Sequence, residues 1–194
     1  MKRIVFAKLK GGVGASCSLL CLGMYLAKVG RHSVACLDLD EAQQTAANML
    51  GNLDGLIEEY EGGNSHDYLL IDSGAGLPSA ELKRHMAKAD LIVVPARPSS
   101  IDWNSTFTFL DKLSPTLRKK TRLLFTNVMP NTKLAGDLPE MRQYCLDNYG
   151  VGSIPTTMNL RTGYAMAMTV GWSALPKAAR EELAALATQV ATAA

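Results

Sequence analysis

No stretch of this 194-residue sequence approaches the length of a membrane span, which takes about 20 mostly apolar residues. The opening "MKRIVFAKLK" has too short an apolar run for a secretory signal. Both absences point to a cytoplasmic protein. Cysteine is scarce: Cys17, Cys21, Cys36 and Cys145 are the whole complement, and none has the paired spacing of a zinc site. Reduced, buried thiols are the plain expectation. The three histidines, His32, His66 and His85, show no ligand spacing either and fit surface or structural roles. Neither sign of charge dominates, since 20 Lys and Arg against 18 Asp and Glu leave a net +2. That balance permits a local basic patch without demanding one. Internal repeats, linkers and low-complexity segments are also missing, so residues 1–194 suit one domain with a substantial core.

What is present is an alternation. Short apolar runs predict strands over 3–7, 33–39, 67–72, 90–96 and 121–128, with a weaker one over 151–155. Runs this continuously apolar suit parallel strands covered on both faces. Between them, helices are expected over 15–29, 41–50, 78–88, 102–112, 132–148 and 174–192. Pro78, Pro139 and Pro176 suit helix starts, and the Ala-rich end should fray. Such alternation predicts an α/β fold, a doubly wound and mostly parallel sheet with helices on both faces.

The segment "KLKGGVGASC", Lys8–Cys17, follows the first strand and precedes the first helix. A phosphate-binding loop requires that setting. Gly11, Gly12 and Gly14 let backbone N–H groups turn toward an anion, and the helix N-terminus favours negative charge. Ser16 is placed to offer its hydroxyl to Mg²⁺. Asp38 and Asp40 end the second strand and Asp72 ends the third. In an open parallel sheet these carboxyl ends gather at the ligand crevice. Three carboxylates beside an anion loop make sense with a cation among them, though either Asp38 or Asp40 could instead cap a helix.

These residues resemble the ParA/MinD group of deviant-Walker P-loop ATPases. The likeness rests on Lys10-Gly11-Gly12-Val13-Gly14-x-Ser16, on Asp38-Leu39-Asp40 and on Leu70-Ile71-Asp72-Ser73-Gly74-Ala75-Gly76. It continues through "ADLIVVPARPSSIDW" (89–103) and "IPTTMNLRTGYAMAMTVGWSALP" (154–176). The resemblance implies ATP/ADP and Mg²⁺ as cofactors. It implies that Lys10 reaches across an ATP-sandwich homodimer and that Asp40 orients the attacking water. Gly11, Gly12, Val13, Gly14, position 15, Ser16 and Cys17 would wrap the phosphates. Ser16, Asp38 and Asp72 would serve the metal, with Asn127 near adenine and the region around Pro95 to Pro98 at the base or dimer face.

Position 15 departs from the pattern: the resemblance predicts Lys, and Ala15 stands there. Alanine cannot place a cation on the β- and γ-phosphates, so a hydrolysis-deficient protein is expected. Three accounts are open: an inactivating substitution made by design in an active ATPase, a natural pseudo-ATPase, or replacement by Lys8. Against the last, Lys8 lies on the wrong side of the glycines for ordinary P-loop geometry.

The short length resembles the small plasmid-partition ParA proteins. That likeness implies segregation of a plasmid or other cargo, nucleoid association when ATP-bound, and a ParB-like or other small activator. Two basic clusters, "ELKRHMAK" and "TLRKKTR", offer Lys83, Arg84, Arg118, Lys119 and Lys120, with Arg161, as a DNA-phosphate surface. They could equally be solvated faces. No aromatics interleave with them, so DNA binding should be sequence-independent. Trp103 and Trp172 fit packing or interface anchors. Two other readings are a non-enzymatic adaptor and a MinD-like membrane-cycling regulator. The second needs a basic amphipathic C-terminal helix, and "REELAALATQVATAA" has few cations. Stable membrane association is therefore not expected.

Overall fold

The computed structural model describes residues 1–40 and 43–193. Its strands are β1 (Lys2–Lys8), β2 (Val34–Asp38), β3 (Glu58–Glu59), β4 (Tyr68–Ala75), β5 (Leu91–Ala96), β6 (Thr121–Phe125) and β7 (Gly152–Ser153). They form one sheet in the order β3-β2-β4-β1-β5-β6-β7, every pairing parallel. The helices are α1 (Ala15–Lys28), α2 (Thr45–Met49), α3 (Ala80–Lys88), α4 (Ser100–Asp111), α5 (Pro115–Lys119), α6 (Lys133–Gly136), α7 (Leu138–Tyr149), α8 (Thr162–Val170) and α9 (Lys177–Ala193). The doubly wound α/β architecture is the expected one.

Side chains alternate across the sheet, as strand geometry requires. Ile4, Phe6, Cys36 and Leu70 face a core shared with Leu19, Leu20 and Leu22 of α1 and Leu183 and Leu186 of α9. Val5, Ala7, Leu69 and Ile71 face the other core, shared with Leu82 and Met86 of α3, Phe109 of α4 and Cys145 of α7. Trp103 stacks on Phe107 and meets Phe125 edge-on, so it is a packing residue. Trp172 packs beside Tyr25 under the Arg180 guanidinium. Cys21, Cys36 and Cys145 are buried, Cys17 is half-buried, and all four are free thiols. Burial pushes the Cys145 thiol up to about 11.

Several boundaries differ from expectation. The helix expected over 132–148 is two, α6 and α7, parted at Asp137. Pro139 lies in the first turn of α7 and has no N–H to give the carbonyl four residues back. The helix expected over 41–50 is α2 plus a 3₁₀ turn, Leu50–Asn52; positions 41 and 42 lie outside the described residues, as does residue 194 of the Ala-rich end. The strand expected over 121–128 stops at Phe125, and Asn127 has a left-handed backbone. The weak strand at 151–155 shortens to β7. Strand β3 and helices α5 and α8 had no counterpart in the expected set. No helix among the described residues is long and apolar enough to cross a membrane.

Candidate functional site

The loop after β1 turns through Gly12 (φ 78°) and Gly14 (φ 79°), both in the left-handed region that favours glycine. Gly14 is the N-cap of α1 and brings no side-chain cap. The first-turn amides of α1 therefore lack side-chain partners and favour an anion. Thr126 fixes the loop from below: its hydroxyl, buried at the end of β6, donates to the Val13 carbonyl at 2.6 Å. The loop opens on a cavity of about 280 Å³, lined by Lys8, Gly11, Gly12, Gly14, Ser16 and Asp40, with Ala15 and Cys17 beside them.

Asp72 is the centre of the polar arrangement and is 1% exposed. One carboxylate oxygen is ion-paired with the Lys8 ammonium, and the other accepts the Ser16 hydroxyl. Lys8 is 8% exposed. Its side chain reaches the cavity although its backbone precedes the glycines. The physical reason is strand parity. Lys8 follows Ile4 and Phe6 on the sheet face that α1 covers, and Asp72 follows Leu70 on that same face. The two charges therefore meet across the β1–β4 pairing, where the register shifts between Phe6 and Lys8.

Asp38 is spent on the backbone. One oxygen accepts the Asp40 N–H at 2.9 Å; the other accepts the amides of Ala46 and Ala47, at 2.8 and 3.2 Å. It caps the entrance to α2, which answers the question the sequence left open for this residue. Asp40 reaches the cavity wall and accepts the Gln43 N–H at 3.0 Å. Gly74 makes its position possible. A Cβ at Gly74 would sit 3.0 to 3.2 Å from three atoms of Asp40, and Gly74 has φ 68°. Gly74→Ala is expected to cost about 1–3 kcal/mol, read as a lower urea midpoint at unchanged slope.

These residues do not fit a magnesium ion in its usual place. Ser16 and Asp72 are joined to each other, the Lys8 ammonium sits on Asp72, and the Asp38 oxygens are occupied. Among the described residues no group of three or more His, Cys, Asp or Glu could hold a metal. A divalent ion beside a fixed ammonium would meet repulsion on the order of 4 kcal/mol per unit-charge pair at about 4 Å and a protein-like dielectric.

Lys10 is not reaching outward. Its ammonium donates to Asp102 of α4 at 2.6 Å. Asp102 also accepts the Ser99 hydroxyl at 2.8 Å and lies 3.9 Å from Arg97. Burial opposes ionisation of Asp102, but hydrogen bonds from Lys10 and Ser99 and the charges of Lys10 and Arg97 outweigh it. Its carboxyl titrates below the usual range. The stability it contributes is complete above the unfolded aspartate value near 3.9 and is lost as pH falls through the lower folded value. Asp102→Asn is expected to flatten that acid limb of a stability–pH curve and to free Lys10.

Asn127 lies beside Gly14, with Thr126 and Cys17, on the α8 side of the loop. Pro95 lines the small space between Lys10 and Asp102. Of the basic residues, Arg161 lies apart from the others. Lys83 and Arg84 are exposed on α3, and Lys119 is exposed on α5. Lys120 donates to the carbonyls of Ala87 and Ala89, both at 2.8 Å, and Arg118 to that of Leu110 at 3.1 Å. Arg161 is bound to Glu182 at 2.6 Å, in a cluster with Tyr164 of the α1-side core. Its guanidinium is committed to Glu182 and separated from the α3 and α5 cations, which belong to the other face.

Sequence reasoning missed Thr126 and Asp102, and it misplaced the Lys8 side chain. For Lys8 the signal was available: period two puts residue 8 on the face of residues 4 and 6. Asp102 gave none, being 92 positions from Lys10.

Known proteins resemble this chain in sequence over part of its length and in fold over nearly all of it. The family described as ATPase MipZ matches residues 2–61, which include the loop, Asp38 and Asp40. The maintenance of carboxysome distribution protein A of Halothiobacillus neapolitanus is 26% identical over 122 residues, 62% of this chain. The match spans 56% of that relative's length. In fold, the chain is similar to a Borrelia burgdorferi protein assigned to plasmid partition and bound to AMPPNP (TM-score 0.73, 17% identity, 98% of each chain). It is also similar to the MinC:MinD cell division complex of Aquifex aeolicus (TM-score 0.73, 14% identity, 99% of this chain and 96% of that one).

Proposed function

We propose that this chain, similar to the ATPase MipZ family over residues 2–61 and in fold to plasmid-partition and MinD proteins, is a nucleotide-dependent positioning protein. The observation that carries this is the glycine loop: it brings the N-terminus of α1 and Ser16 to a cavity that Asp40 also lines, above Asp72. The loop amides would receive the phosphates of ATP or ADP, and Asn127 would lie toward the base. Lys10 would leave Asp102 to contact nucleotide across a homodimer, and Asp40 would orient water. Relatives are named for plasmid partition, carboxysome distribution and cell division, so a cargo moved with DNA or another cytoplasmic track is the role proposed here. A ParB-like or other small activator would complete the cycle, with nucleoid association in the ATP state and no stable membrane attachment.

The test is calorimetry with ATP and ADP, followed by gel shift on unrelated DNA sequences with and without ATP. Binding of nucleotide and ATP-dependent, salt-sensitive retention of any DNA is the expected result. A chain that ignores both ligands at low salt ends the proposal.

A second reading is favoured by Lys8 and Ala15 together. A single inactivating substitution made by design would leave the rest of an ATPase site as it was. Here a lysine is missing at 15 and a buried one is present at 8. Such a paired departure is what natural divergence toward a pseudo-ATPase would leave. Slow or absent turnover with retained nucleotide binding is its signature.

A further inference from the structure

We propose that Lys8 is the resident cation of the phosphate site, replacing both the lysine absent at position 15 and the magnesium ion. The inference rests on the reading of the loop as a nucleotide site. Lys8 is more than nine-tenths buried, yet it lines the cavity that the glycine loop encloses. An ammonium carries three donors. One is taken by Asp72, and among the described residues no other protein acceptor lies within hydrogen-bonding distance of the ammonium. The remaining donors can serve oxygens of a diphosphate or triphosphate in the cavity.

The charges support the assignment. Lys8 offsets Asp72, which would otherwise repel phosphate from the base of the loop. Asp38 is held by three backbone amides and is not available to a metal. Ala15 leaves open the space that a lysine there would fill, and it lines the same cavity. The ligand is therefore a metal-free nucleoside diphosphate or triphosphate, bound by amides and one fixed ammonium.

The test uses the whole chain and two measurements. ADP and ATP affinities are measured by calorimetry in excess Mg²⁺ and in excess EDTA. The expected result is equal affinity in both. Lys8→Asn should weaken binding in EDTA by about tenfold to a hundredfold, the loss of a charge-assisted hydrogen bond. Independently of any variant, Mn²⁺ added with ADP to the unaltered chain should give no protein-bound spectrum by electron paramagnetic resonance. Nucleotide binding that requires Mg²⁺, with Mn²⁺ bound at the site, overturns the inference and leaves the nucleotide reading standing. No nucleotide binding in either condition overturns both.

Discussion

An Asp72→Ala variant is expected to lose about 3–5 kcal/mol of unfolding free energy. The side chains of Lys8 and Asp72 are 9% and 2% exposed, so each depends on the other for compensation of its charge. Removing the carboxylate strands a buried ammonium and leaves the Ser16 hydroxyl without its acceptor. The double variant Lys8→Met, Asp72→Asn removes both charges at once and should recover most of the loss. Urea unfolding of Lys8→Met, Asp72→Asn and their double variant closes the cycle and gives the coupling directly. Additive losses would mean that the pair is not coupled through the protein interior.

Lys8→Asn combined with Ala15→Lys is expected to raise Mg²⁺-dependent ATP turnover by about 10²-fold or more over the parent chain. Loss of one oriented donor or charge commonly costs that much, and here the change runs in reverse. Ala15→Lys alone should give much less, because Lys8 would still hold Asp72. Steady-state phosphate release separates the accounts of Ala15. Full turnover from Ala15→Lys alone would make Ala15 the single lesion and Lys8 a bystander. No gain from the double would leave the site inactive for other reasons.

The strands were legible because they are buried on both faces: Ile4, Val5, Phe6 and Ala7 are all fully enclosed and read as one apolar run. Strand β3 was not, because it is Glu58–Glu59, exposed at the sheet edge, with no apolar signal. Helix α8, "TGYAMAMTV", contains Gly163, whose lack of a side chain lets Pro176 pack against it. In the site, residues close in sequence were legible: glycines, Ser16, and carboxylates at strand ends. The partners were not. Lys8 finds Asp72 across 64 positions and Lys10 finds Asp102 across 92. Such pairings are made by the sheet, and no local pattern encodes them.

The strand order carries a kinetic consequence. Strand β1 precedes both of its neighbours in the chain and sits in the middle of the sheet between β4 and β5. Its two neighbours are Tyr68–Ala75 and Leu91–Ala96. A nascent chain therefore holds this apolar strand without hydrogen-bonding partners until β4 and β5 have followed it, and both closures span long loops. During that interval the segment "RIVFA" is an unpaired strand edge open to wrong partners. Lys2 before it, Arg3 at its start, and Lys8 and Lys10 after it flank the apolar residues with positive charge. The lysine later buried against Asp72 thus also guards the strand against aggregation before the fold exists.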